Sequence, residues 1–210
     1  MLDLRQIYRK LYAKFGPQHW WPGDSPFEVM VGAILTQNTN WANVEKAINN
    51  LKKHNLLNPQ KLNTLSLKKL ASYIVACGYY NIKAKRLKEF LKFFCQEYKG
   101  NPKKMAKTDT QELRRKLLKV SGIGPETADS ILLYALGKPV FVIDAYTKRI
   151  LLRHNLIKED ADYTKVQNLF MKNLKPDVKL FNEYHALLVR LGKDFCLKRR
   201  PRCEMCPLKN

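Results

Sequence analysis

Leu117-Leu118-Lys119-Val120-Ser121-Gly122-Ile123-Gly124-Pro125-Glu126-Thr127-Ala128 reads as a helix, a Gly-x-Gly turn and the start of a second helix. Glycines let the backbone bend tightly and come close to a partner. The first N–H groups of the second helix then point outward with the helix dipole behind them. That is an anion site suited to one backbone phosphate. Taken alone, Gly-x-Gly describes an ordinary helix–helix turn equally well. Twenty residues after Gly124 stands Asp144, behind a Gly137-Lys138-Pro139 break and the apolar run Val140-Phe141-Val142-Ile143. Four residues cannot build a sheet, so the run reads as an extended connector into a helix capped by Asp144.

Outward from this core, almost every segment has a 3.6-residue apolar period and none alternates cleanly. Leu4, Ile7, Tyr8, Leu11 and Phe15 form a core-facing stripe at the N-terminus. Ser25-Pro26-Phe27-Glu28 is a helix start with a capping box, and Phe27 to Leu35 is apolar nearly all round, as in a central buried helix. Ser66 caps a helix carrying Leu67, Leu70, Ala71 and Ile74. Lys83 to Tyr98 puts Leu87, Phe90, Leu91 and Phe94 on one face. Gly100-Asn101-Pro102 breaks the chain before a helix around Thr110 to Lys119. The helix after the Gly-x-Gly turn runs to about Leu136, and further helices follow near 163–174 and 177–191. The fold class is all-α.

The 210 residues carry 39 Lys+Arg against 18 Asp+Glu, a net charge of +21. A solubilising surface would account for this, and so would a partner carrying many phosphates, since each neutralised phosphate releases counterions. No apolar run of about 18 residues exists to span a membrane, and no isolated basic amphipathic tail is present. The N-terminus has no apolar signal region, which points to a reducing, cytoplasmic compartment. The five cysteines then lean toward metal rather than disulfides.

The order of hairpin, break, connector and aspartate resembles the helix-hairpin-helix DNA glycosylases of the endonuclease III superfamily. The matching stretches are LLKVSGIGPETAD, GKPVFVIDAYTKRI, FEVMVGAILTQNT, GYYNIKAKRL and CLKRRPRCEMCPL, from about residue 20 to the C-terminus. The resemblance implies two helical domains with double-stranded DNA and an extruded damaged base in the cleft between them. One is a six-helix barrel over 20–133 containing the hairpin. The other is discontinuous, 1–19 with 134–210. The hairpin, Gly122, Ile123 and Gly124, grips a phosphate. Asp144 stabilises positive charge developing on the sugar as the base leaves, and can orient a water for attack at C1′. Gln37 matches a side chain that fills the gap left by the flipped base, and Tyr79 matches a second wedge that is usually aliphatic. An exposed helix end and a core aromatic are the plain alternatives.

Bifunctional members place a lysine nucleophile in the hairpin's second helix; the position here is Glu126. Glutamate cannot form an imine, so the chain resembles a monofunctional enzyme with weak or absent lyase activity. Trp20, Trp21 and Trp41 are core residues or a base pocket. Trp20-Trp21-Pro22 with an aromatic after Thr36-Gln37-Asn38-Thr39 also resembles the bacterial 3-methyladenine DNA glycosylases. An indole face attracts a cationic alkylated purine by about 0.5–2 kcal/mol.

Cys196-x6-Cys203-x2-Cys206 resembles the first three ligands of the family's [4Fe–4S] cluster. The fourth would fall at position 212, past the last residue given. A longer chain, a non-cysteine or exogenous ligand, or a lost cluster each fits, and zinc is the alternative metal. Lys198, Arg199, Arg200 and Arg202 lie inside this loop, placed for DNA phosphates or simply solvated. The expected activity is monomeric base-excision repair in a bacterial or archaeal cell, with alkylated purine favoured. An endonuclease III-like lyase on oxidised pyrimidines, a mismatch uracil or thymine glycosylase, and a catalytically silent DNA-binding protein are the alternatives.

Overall fold

The computed structural model describes residues 3–209. Met1, Leu2 and Asn210, the ends of the expected discontinuous domain, lie outside the described residues. Helices joined by turns and irregular segments form the described chain, with no strand among those residues. Contacts divide it into two compact units. One is Pro22–Lys138; the other joins the described residues up to Trp21 to those from Pro139 onward.

The Pro22–Lys138 unit holds α2 (Pro26–Leu35), α3 (Trp41–Lys53), α4 (Pro59–Thr64), α5 (Leu67–Tyr73), α6 (Tyr80–Tyr98), α7 (Pro102–Ala106), α8 (Thr110–Leu118) and α9 (Pro125–Ser130). Its axis is α2, in which every residue from Phe27 to Leu35 is buried. α3, α6, α9 and the turn after α9 pack around it. Leu87, Phe90, Leu91 and Phe94 are buried along α6, and the Phe94 ring stacks on Phe27 at 6.0 Å. Each such side chain contributes about 1.5–3 kcal/mol by leaving water.

Several local expectations change. Ser25 caps α2 by accepting from the Glu28 N–H, but the Glu28 carboxylate accepts from the Asp24 N–H at 3.2 Å instead of closing a box on Ser25. It also pairs with Lys52 Nζ at 2.6 Å, which makes its burial tolerable. Asn101-Pro102 does not merely break the chain. Asn101 caps and Pro102 opens a short helix, as Asn58-Pro59 does for α4. The helix after the Gly-x-Gly turn is not uniform: α9 passes at Ile131 into one π-helical turn, Ile131–Ala135.

The other unit holds α1 (Leu4–Phe15), α10 (Ala145–Arg153), α11 (Tyr163–Asn173) and α12 (Val178–Asp194). α12 packs on α1 and α10, and the Tyr184 hydroxyl donates to Leu4 O at 2.7 Å. The connector Val140–Ile143 is buried and extended without a strand partner. Side chains of α11 bond two of its backbone groups instead. Gln167 Nε2 donates to Phe141 O at 2.7 Å, and the Tyr163 hydroxyl accepts from the Ile143 N–H at 3.3 Å. The Phe141 ring stacks on Phe170 at 3.8 Å between centroids, fixing the approach to Asp144.

Candidate active site

In the Pro22–Lys138 unit the hairpin joins α8 to α9. Gly122 and Gly124 are exposed and flank a buried Ile123, which anchors the turn from within. Gly122 has φ +85°, a conformation L side chains rarely adopt, and a Cβ there would meet Arg86 Cγ at 2.2 Å. Gly124 stands at the N-cap of α9, where an added Cβ would meet open space. Glu126 is exposed, whereas its neighbour Thr127 is buried.

Gln37 lies just past α2 and reaches this hairpin. Its Nε2 donates to Gly122 O at 3.0 Å and to Thr127 Oγ1 at 2.9 Å, and its Oε1 accepts from Arg86 of α6. Tyr79 sits at the N-cap of α6 in the left-handed region, φ 48°, and is 69 % exposed. Lys83 braces the turn before it. Its Nζ is buried, donates to Cys77 O at 2.7 Å, and is pushed below its ordinary pKa by burial.

In the other unit Asp144 caps α10. Its Oδ1 accepts from the Thr147 N–H at 2.7 Å, while its Oδ2 lies 3.7 Å from His185 Nε2 of α12. His185 is 5 % exposed. Burial lowers its pKa, with the Asp144 carboxylate pulling the other way. His185 was missed by sequence reasoning; its only signal was a lone histidine on an apolar helix face, 41 residues from its partner.

This arrangement has a pH consequence. His154 is also lowered, by burial and then by Lys10. Below about pH 6.5 the unfolded chain binds protons that the folded histidines resist. Stability therefore rises with pH through that window and is lost as pH falls. Melting temperature followed from about pH 8 to 5 is expected to drop, and His185→Gln to flatten the drop. A mutant profile parallel to wild type would remove His185 from the effect.

Trp20 and Trp21 belong to Asp144's unit, half-buried, with ring centroids 5.5 Å apart and Lys193 Nζ 6.0 Å from the Trp20 ring. Trp41 opens α3 in the hairpin's unit and is also half-buried. Of the two lysines that flank the hairpin in sequence, Lys138 donates to Thr108 O at 2.7 Å and Lys119 is exposed at the end of α8.

Cys196 is buried, Cys203 exposed and Cys206 half-buried, all as free thiols. Burial raises the Cys206 pKa, and the neighbouring Cys196 and Cys203 thiols add to the rise. The donors are right in kind for iron. Among the described residues no three His, Cys, Asp or Glu side chains gather as a metal-binding group, and no step is routed through a cluster. Two arginines of α10 hold the loop. Arg149 donates to Cys196 O and Gly192 O, and Arg153 to Cys196 Sγ, Leu197 O and Lys198 O. Lys198, Arg199, Arg200 and Arg202 are all exposed on it. Among the described residues no helix is long and apolar enough to cross a membrane.

Residues 31–176 match the family model described as the HhH-GPD superfamily base excision DNA repair protein. A Methanocaldococcus jannaschii protein, provisionally named a DNA repair glycosylase, is 50% identical over 206 residues, 97% of this chain and 93% of the relative. Endonuclease III of Thermotoga maritima is 28% identical over 207 residues, 99% of this chain and 91% of that one. Among solved structures, H. pylori 3-methyladenine DNA glycosylase bound to 1,N6-ethenoadenine superposes with a TM-score of 0.79 at 30% identity, covering 91% of this chain and 98% of that one. An endonuclease III–DNA complex gives 0.83 at 22% identity, covering 99% and 94%, a likeness of fold. With a hairpin, a helix-capping aspartate and these matches along most of its length, the chain belongs to the HhH-GPD superfamily of base-excision DNA repair glycosylases, together with endonuclease III.

Proposed function

We propose that the protein is a monofunctional DNA glycosylase that hydrolyses the N-glycosidic bond of an alkylated purine in duplex DNA. The observation that carries this reading is the pairing of roles by residue type: a held carboxylate, Asp144, and a glutamate, Glu126, at the hairpin's nucleophile position. As the base leaves, it takes the electron pair of the C1′–N bond, and positive charge develops on the sugar. Asp144 stabilises that charge, and a water adds its oxygen to C1′ while passing a proton to the carboxylate. Oδ1 is fixed by the Thr147 N–H, which leaves Oδ2 for this work. An alkylated purine is already cationic and a good leaving group, so carboxylate and water suffice. Trp20, Trp21 and Trp41 are the proposed aromatic contacts for it.

The hairpin residues Gly122, Ile123 and Gly124 are proposed to bind one phosphate, with Gln37 and Tyr79 filling the space of the flipped base. The test is a panel of duplexes carrying 3-methyladenine, 7-methylguanine, uracil, thymine glycol and T·G, scored separately for base release and nicking. Release of methylated purines without nicking is expected. Release of thymine glycol with nicking would move the assignment to an endonuclease III-like lyase, and no release would leave a silent DNA-binding protein. Cys196, Cys203 and Cys206 remain the proposed thiolate ligands of a [4Fe–4S] cluster, checked by iron and sulfide analysis of purified protein.

Lys198, Arg199, Arg200 and Arg202 are proposed to meet DNA phosphates. Binding is expected to weaken steeply with salt. Arg199→Ala with Arg200→Ala lowers the slope of log K against log salt by about one unit per lost contact. An unchanged slope would take the loop off the DNA backbone.

A further inference from the structure

The Gln37 amide has no spare donor. Both of its N–H groups go to the hairpin, one to Gly122 O and one to buried Thr127 Oγ1, and its oxygen takes the Arg86 guanidinium. Arg86 also supplies the surface on which the turn rests: its Cβ, Cγ and Cδ all lie within 3.0 Å of where a Gly122 Cβ would stand. It belongs to α6, the helix that begins at exposed Tyr79 and whose first turn carries Lys83 against Cys77 O. One half-buried guanidinium therefore joins the end of α2, the turn between α8 and α9, and α6. These are the three places from which Gln37, the hairpin and Tyr79 would address DNA.

We infer that Arg86 is a positioning residue for DNA engagement, locking the Gln37 amide to the hairpin so that gap-filling side chain and phosphate grip are set as one preformed surface. The inference rests on the reading that this hairpin binds DNA. A charge-assisted hydrogen bond to an amide whose other atoms are already bound fixes all three partners, because no member can rotate without stranding another. Preformed contacts spare the ordering cost that association otherwise carries. A direct phosphate contact by Arg86 is the competing account, and it differs in two measurable ways. It would change the salt slope, and it would act independently of Gln37.

The test is binding of full-length protein to a duplex holding an uncleavable abasic-site analogue, for wild type, Arg86→Met, Gln37→Met and the double variant, across a salt series. Arg86→Met is expected to weaken binding about tenfold with the slope unchanged, and the double variant to lose no more than the larger single loss. A slope lowered by about one, additive losses, or wild-type binding by Arg86→Met would overturn the proposal. Thr127→Val removes one partner of the node from a buried position and serves if Arg86→Met fails to fold. It is expected to show a smaller loss with the same unchanged slope, and no loss would count against the node. Hydrogen exchange in DNA-free protein separates this from the function itself. The Ile123 N–H, bonded to Val120 O at 3.0 Å, is expected to exchange about tenfold faster in Arg86→Met and in Gln37→Met alike. Unaltered exchange there would sink the positioning role, whereas failure of wild type to prefer the abasic duplex, with exchange accelerated, would sink only the DNA reading.

Discussion

Asp144→Asn is expected to lower base release by about a thousandfold or more while leaving affinity for the same duplex within a few fold. The asparagine keeps an oxygen for the Thr147 N–H, which Asp144 Oδ1 now takes at 2.7 Å, so the start of α10 survives. What disappears is the negative charge, and with it, on the mechanism proposed above, both the stabilisation of the developing sugar cation and the acceptor for the water's proton. Those interactions exist only in the transition state, so the loss appears in kcat rather than in binding. Burst-phase base release at saturating enzyme, set beside equilibrium binding, makes the distinction. Residual release within tenfold of wild type would remove Asp144 from the chemistry, and a matching collapse of affinity would show that the substitution had unfolded the unit.

Borohydride is expected to trap no covalent adduct between the wild-type protein and DNA, and nicks are expected only after alkali or heat. The proposed reason lies at Glu126, exposed on α9 at the position that the family resemblance matches to the amine of bifunctional members. A carboxylate cannot condense with C1′ to an imine, so β-elimination has no covalent route from this position. Glu126→Lys tests the position directly. The new amine is expected to give a trapped adduct at high pH, with the yield rising as the ammonium loses its proton. A strong adduct from wild type would overturn the monofunctional reading and send the search to Lys119. Lys138 follows it, since its Nζ would first have to leave Thr108 O.

What could be read from the chain in advance follows the range of the interactions involved. Asp144 as a cap, Ser25-Pro26 as a helix start, the buried run from Phe27 to Leu35 and the face Leu87, Phe90, Leu91 and Phe94 all depend on neighbours within one or two turns. The residues themselves announce them, and the all-α fold follows from their sum. Asn58-Pro59 and Asn101-Pro102 were equally local, but a Pro after a turn residue ends one helix and opens another with the same letters. His185 beside Asp144 could not be read, since nothing local ties residue 185 to residue 144. The same holds for Arg86 and Gln37, 49 residues apart. Arg149 and Arg153, which hold the cysteine loop, look in sequence like any charged residues on a surface helix; only the fold shows them donating to backbone oxygens more than forty residues away.

The connector ahead of Asp144 bears on how relatives of this chain are recognised in genomes. Its four apolar residues have no strand to lie against, and two of its backbone groups are held by Gln167 and Tyr163, which lie outside the five short stretches that carry the family resemblance. A descendant that keeps its hairpin glycines, its aspartate and its aromatic residues but exchanges Gln167 for an aliphatic residue leaves the buried Phe141 O without this donor, and is expected to be a weakened copy. Weakened copies of this kind would keep those five stretches intact, and the place to look for their decay is α11.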